Sequence, residues 1–206
     1  MAPDPDDMLA GLDDQQRAAV VHDELPLLVV AGAGSGKTRV LTRRIAWRIA
    51  TGRDDPRRLL ALTFTRAAAT ELQTRLRLLG VRDQTRAGTF HAIAWSELRM
   101  LRAERGRPAP TLLDRPARIV AKLLPDGVGG RAVNDLVGEL AWARARLVAP
   151  ERYPEAAADA GRRPPLPAAD VAELAHRYAE EKRRRGLVDF DDLLDQLADA
   201  IESDAA

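Results

Sequence analysis

Leu27-Leu28-Val29-Val30 runs directly into Ala31-Gly32-Ala33-Gly34-Ser35-Gly36-Lys37-Thr38, and an amphipathic stretch begins at Lys37. A short, unbroken leucine and valine run suits a strand buried on both faces, as in a parallel sheet covered by helices. Glycines let a backbone wrap a phosphate with no Cβ in the way. The free amides and the dipole of a helix start favour an anion at that spot. Strand, Gly-rich turn and Gly36-Lys37-Thr38 at a helix start together predict a phosphate cradle. In it Lys37 would reach the β- and γ-phosphates of a nucleotide, and the Thr38 hydroxyl would ligate Mg²⁺. The usual pattern carries glycine five residues before Gly36, where Ala31 stands here. A plain strand-to-helix turn with no ligand is the bland alternative.

Working outward, residues 1–11, with two prolines and three aspartates, read as a disordered lead. A short helix capped by Asp13 should follow, carrying Ala18, Ala19 and Val20. Beyond the loop, Leu41, Ile45 and Ile49 recur at helical spacing in a helix from about Lys37 to Ala50, with Gly52 placed to stop it. Leu59–Phe64 reads as a second buried strand, followed by a helix through Leu72, Leu76 and Leu79 that Gly80 ends. A short strand near Ala87–Thr89 leads into a helix with Phe90, Ile93, Leu98 and Leu101. Strands alternating with helices predict an α/β fold with a parallel sheet.

From about Arg107 to Gly186 the pattern becomes helices and proline-rich links, with no convincing strand. Helices are expected at Arg115–Leu124, Arg131–Leu147, Glu151–Ala160 and Ala168–Arg185, with Arg162–Pro167 as a stiff connector. A last amphipathic helix carries Phe190, Leu193, Leu194, Leu197 and Ile201. The expected organisation is a lead over 1–11, the first part of an α/β domain over 12–106, a helical insertion over 107–186 and a return to the first domain over 187–206. A length of 206 residues suits one domain with such an insertion.

Apolar residues make up 46% of the chain, enough for a core, and no run is long enough to cross a membrane. The acidic start lacks the pattern of a secretory signal. The absence of cysteine excludes disulfides, thiolate metal sites and a cysteine nucleophile, and fits a reducing cytoplasm. Net charge is only +1, so any polyanion binding must come from local patches. The cations of Lys182-Arg183-Arg184-Arg185 complement a helix C-terminus and read as solvated, or else as facing a polyanion. Trp47, Trp95 and Trp142 read as core or interdomain packing.

The AxxGxGKT form of the loop is similar to that of superfamily 1 DNA helicases of the UvrD/Rep/PcrA kind. Upstream, Leu12-Asp13-Asp14-Gln15-Gln16 with Ala19-Val20 resembles the family's Q motif, LNxxQxxAV. There a glutamine side chain pairs with the adenine edge, and Gln16 is the matching position. Arg39 resembles the family arginine near the nucleotide, although a solvated helix residue would read the same. Ala61-Leu62-Thr63-Phe64-Thr65 resembles the TFTN segment, motif Ia, and Gly88-Thr89-Phe90-His91 resembles the TFH segment, motif Ib. The resemblance implies DNA contacts by Phe64, Thr65, Arg66, Thr89, Phe90 and His91.

Both segments sit at strand-to-helix turns, where ligand groups gather at the C-terminal ends of parallel strands. An exposed aromatic stacks a base at about 1–3 kcal/mol without reading sequence. A threonine or a helix-start amide holds a phosphate. On spacing alone, the two phenylalanines fit a core equally well, and His91 fits a packed or capping role. The family has Asn-Lys after TFT where Arg66 and Ala67 stand; Arg66 can still hold a phosphate. Asp189-Phe190-Asp191-Asp192-Leu193-Leu194 resembles the DFDDLL landmark at which the family chain re-enters its first motor domain. Read from the residues, acids in a first helical turn are what the dipole prefers, not a Mg²⁺ site.

The resemblance spans the chain from Leu12 onward. It implies a RecA-like P-loop NTPase sheet, incomplete in these residues, with an inserted all-helical subdomain. It also implies ATP and Mg²⁺ as cofactors and an ATP-dependent 3′-to-5′ helicase moving on single-stranded DNA or at a junction of single and double strands. After DFDDLL the family carries a strand ending in D-E-x-Q-D, whose acids bind Mg²⁺ through water, and a C-terminal motor domain with arginines that stabilise the transferring phosphate. Neither occurs in these 206 residues, so residues 1–206 alone are expected to hydrolyse no appreciable ATP. The alternative is a non-catalytic nucleotide- or single-strand-binding module. A small-molecule kinase would share the loop but leave the Gln16 segment and the two phenylalanine turns unexplained.

Overall fold

The computed structural model describes residues 4–81, 85–125 and 127–204. They divide into two compact units, Met1–Ile93 and Ala94–Ala206.

In the first unit the lead is not disordered where it is described. Residues Pro5–Leu9 form helix α1, capped by the Asp4 side chain, which accepts from the Asp6 amide. Its Met8 and Leu9 enter the core, which the acid-rich composition hid. Helix α2, Asp14–Val21, is capped as expected: Asp13 Oδ1 accepts from the Gln16 amide at 2.8 Å. Helix α3, Lys37–Ala50, matches the expected span. Two of its arginines tie the earlier helices down. Arg43 Nη1 donates to the Asp7 and Met8 carbonyls, both at 2.8 Å. Arg44 Nη1 donates to the carbonyls of Ala19, Val20 and His22 at the end of α2. These carbonyls have no acceptor role left inside a helix, so a cation satisfies them.

The expected buried strand at Leu27–Ala31 is a correction. The segment pairs with no strand among the described residues, and Leu28 and Val30 are each 85% exposed. A β-ladder needs a neighbour to take its amides and carbonyls, and none pairs with this run among the described residues. On α3, Ile45 of the expected stripe is buried and Ile49 packs against the core, while Leu41 is exposed; Val40, Ala46 and Trp47 complete the buried face.

The sheet that does form is parallel. Strand β1, Leu60–Thr63, pairs with β2, Arg86–Thr89, with Leu60 opposite Arg86 and Thr63 opposite Thr89. Helix α4, Arg66–Leu78, makes the crossover; it buries Ala69, Leu72 and Leu76, the two leucines in one cluster with Trp47, Ala61 and Val81. Each fully buried leucine contributes about 1.5–3 kcal/mol. Mixed helix and parallel strand is the α/β class expected.

Helix α5, Phe90–Glu104, contains the boundary between the units. The second unit is mainly helical: α6 Pro116–Leu123, α7 Gly130–Ala145, α8 Tyr153–Asp159, α9 Ala168–Arg185 and α10 Phe190–Asp204. The expectation of no strand here is corrected by a two-residue ladder, β3 Thr111–Leu112 parallel to β4 Leu187–Val188. One apolar cluster joins α6 to α9 through Val120, Leu136, Tyr153, Val171 and Leu174. A smaller one joins Ala94 and Leu98 to Val188 and Leu193.

Candidate nucleotide and nucleic-acid sites

The loop Ala31–Gly36 passes from the unpaired extended segment to the first turn of α3. Gly34 and Gly36 hold φ of +75° and +86°, a left-handed backbone that side chains strain. A Cβ on Gly36 would stand 3.2 Å from Gln16 Nε2, so the glutamine side chain would have to give way. The first amides of α3, at Lys37, Thr38 and Arg39, have no intrahelical acceptor and remain for an anion. Lys37 Nζ lies over the loop and donates to the carbonyls of Ala31 at 3.0 Å and Gly32 at 2.6 Å.

An open hollow of about 670 Å³ brings together Asp13, Gln16, Gly34, Ser35, Lys37 and Arg39. Gln16, expected at an adenine edge, sits against the loop with Nε2 donating to the Ser35 carbonyl at 3.2 Å. Arg39 reaches back and donates to the Gly11 carbonyl. Thr38 is not part of this hollow. It lines a neighbouring one with Leu27, Val29 and Leu41. Amides, ammonium and glycine turns at one helix start fit a polyphosphate tail. Among the described residues no cluster of His, Asp or Glu could hold a metal alone.

The second set of expected residues is assembled by the β1–β2 register. Thr63 stands opposite Thr89, so the residues that follow them, Phe64 and Phe90, emerge side by side. Their rings lie 5.3 Å apart at 33°, and they are 89% and 37% exposed. The core reading of these rings is thereby set aside. Thr65 Oγ1 accepts from the Ala68 amide at 3.1 Å, and Thr89 Oγ1 accepts from the Ala92 amide at 3.2 Å. Each hydroxyl caps a helix and keeps its proton for an outside acceptor. Arg66 is exposed beside them, and His91 is half-buried and already engaged.

Several polar arrangements escaped sequence reasoning. Lys182 was read with the solvated cations, yet it is 3% exposed, with Nζ 2.5 Å from Asp189 and 2.6 Å from Asp192. Asp189 and Asp192 cap each other's amides at the start of α10, and Tyr178 donates to Asp189. Glu139 is buried, receives a bidentate pair from Arg162 at 2.7 and 2.8 Å, and accepts from Tyr153 at 2.6 Å. The Arg162 hydrogen bonds hold the Glu139 carboxyl below its usual range. A signal existed: Glu139 stands three residues after Leu136 and four before Ala143, on the buried stripe of α7.

Comparisons with known proteins identify a family. The UvrD/REP helicase N-terminal domain family matches residues 12–206. The ATP-dependent DNA helicase UvrD2 of Mycobacterium tuberculosis is 43% identical over 223 aligned residues, covering 100% of this chain and 31% of the relative. The ATP-dependent DNA helicase PcrA of Leuconostoc citreum is 36% identical over 210 residues, covering 94% and 26%. ATP-dependent DNA helicase UvrD1 of Mycobacterium leprae is 52% identical over 92 residues, covering 42% of this chain. The chain thus spans about a third of the length of the relatives it matches along its whole length, as their N-terminal part. A glycine cradle at a helix start, a glutamine against it and a family match over 12–206 lead to one assignment: the chain belongs to the UvrD/REP helicase N-terminal domain family.

Proposed function

We propose that these residues are the nucleotide-holding part of an ATP-dependent DNA helicase or translocase that moves 3′ to 5′ on single-stranded DNA. The observation that carries this reading is the loop hollow, where the Lys37 ammonium, the α3 amides and Gln16 converge. Ala31–Gly36 would wrap the triphosphate, Lys37 would neutralise its outer phosphates, and Gln16 and Arg39 would border the base and sugar. Mg²⁺, held in part by Thr38, would neutralise phosphate charge. Phe64 and Phe90 would stack bases, while Thr65, Arg66, Thr89 and His91 would take backbone phosphates. Stacking plus phosphate contact is sequence-tolerant, which suits a single strand or its junction with a duplex. The polarity rests on the family resemblance alone.

Hydrolysis needs an acid to orient water and cations for the transition state, and the loop hollow contains no such acidic pair. The 206-residue chain is therefore proposed to bind ATP without turning it over. Titration with a fluorescent ATP analogue and with labelled oligo(dT), alongside a phosphate-release assay, tests this directly. Saturable binding of both with no DNA-stimulated release is expected. Absence of nucleotide binding would defeat the helicase reading, and brisk release would defeat the division of labour.

A further inference from the structure

The second unit holds a cavity of about 340 Å³, separate from the loop site, whose lining includes Asp189, Phe190 and Asp191 of the DFDDLL segment. Its walls come from four helices and are apolar: Val120 of α6, Val137 and Leu140 of α7, Tyr153 of α8 and Ala175 of α9. Several small residues line it, among them Ala141, Ala143, Ala175 and Ala179, and they leave space that larger side chains would fill. Protein interiors hold few voids larger than a water, and this half-open space among packed helices is well above that size. It falls at the lower end of the roughly 300–1,000 Å³ of small-molecule sites.

One end is polar. Arg144, Tyr178, Asp189 and Asp191 line it, and exposed Phe190 and Asp191 form its rim. Most of these groups are already matched. Arg144 pairs with Asp192 at 3.0 Å and Asp195 at 2.6 Å, while Lys182 and Tyr178 satisfy Asp189. The Asp191 carboxylate makes no hydrogen bond or ion pair among the described residues. Burial and the neighbouring Asp189 charge raise its proton affinity, and the through-space pull of Arg144 and Lys182, both already paired with other aspartates, does not offset them. Four carboxylates here, at Asp189, Asp191, Asp192 and Asp195, face only two cations, Arg144 and Lys182.

We propose that this cavity is a binding site for a small amphipathic cation, with an apolar body among Val120, Val137 and Tyr153 and a protonated amine on Asp191. The apolar walls set the shape of the body, and the excess negative charge at the rim selects against an anionic head. The site is independent of the nucleotide loop, being built wholly from the second unit.

The test uses three probes of one shape on the 206-residue chain: 4-phenylbutylamine, 4-phenylbutanol and 4-phenylbutyrate. Methyl-resolved NMR titration is expected to shift Val120, Val137 and Leu140 with the amine at a Kd of about 1 mM or below, and the butyrate should bind at least roughly tenfold more weakly. Asp191→Asn, at an exposed rim position, should weaken the amine by about tenfold and leave the alcohol unchanged. Val137→Phe should fill the volume and remove all three. Because that variant could misfold, the Asp191→Asn comparison stands alone. Equal binding of amine and butyrate, or no methyl shifts with the amine, overturns the proposal. Self-association of the chain that Val137→Phe abolishes and the amine does not oppose would assign the cavity to a second copy, and also overturns it.

Discussion

Lys37 donates to two carbonyls of its own loop, so nucleotide binding exchanges neutral acceptors for charged phosphate oxygens. Hydrogen bonds to charged groups contribute about 1.5–3 kcal/mol each. Lys37→Ala should therefore lower affinity for an ATP analogue by at least roughly 100-fold, measured by fluorescence titration; unchanged affinity would move the site elsewhere. Phe64 presents nearly its whole ring, and Phe64→Ala should cost oligo(dT) binding about 1–3 kcal/mol while leaving the fold intact by circular dichroism. Glu139 gives a pH signature. Its folded-state pKa is depressed below the ordinary value of 4.5, first by the Arg162 hydrogen bonds and further by Tyr153. A depressed carboxyl stabilises the fold fully above the unfolded value and loses that contribution as pH falls through the folded value. Urea unfolding below about pH 4.5 should thus weaken the wild type more than Glu139→Gln, and parallel pH profiles would contradict this. At this scale the loop was legible because glycine and lysine identities carry the geometry. Glu139 and Lys182 were not, because their partners lie on other elements.

Elements were legible where the sequence supplies both a period and a stop. Helices α3 and α9 match their expected spans because apolar spacing and a closing glycine act locally. The Leu27–Val30 run was read as a strand from composition, but a strand is a relation between two segments, and here the second is absent among the described residues. Extended, apolar and unpaired backbone is a template for intermolecular pairing. Replacing exposed Leu28 and Val30 by lysine should slow turbidity and thioflavin-positive assembly on warming. No change would mean that association starts elsewhere. The end of α7 carries the opposite kind of surprise. Leu147 adopts φ of +54° with its side chain 86% exposed, in the position after the helix that glycine normally takes. Its carbonyl-directed amide bonds to Arg144 and those of Val148 to Ala143 hold the turn closed despite that cost. Leu147→Gly should raise stability by about 1 kcal/mol, since it removes backbone strain and buries nothing less. A destabilised variant would show that the exposed leucine packs on something.

At the scale of the whole molecule, the hydrophobic clusters follow the two units. One, around Trp47 and Leu72, belongs to Met1–Ile93, and those around Leu136 and Leu193 belong to Ala94–Ala206. The loop, Gln16 and the phenylalanine pair all lie in the first unit. A ligand that binds only the folded form of a unit stabilises that unit by RT ln(1 + [L]/Kd), about 2.7 kcal/mol at a hundredfold excess over Kd. Saturating an ATP analogue should accordingly protect amides of α2, α3 and β1 in hydrogen exchange, with α7 and α9 left at their ligand-free rates. The Lys37→Ala chain should lose that protection entirely, which separates phosphate gripping from general tightening. The paired observation is what decides: protection spreading evenly into α7 and α9 would mean that the two units open as one, and nucleotide would then act on the entire chain rather than on the half that holds it.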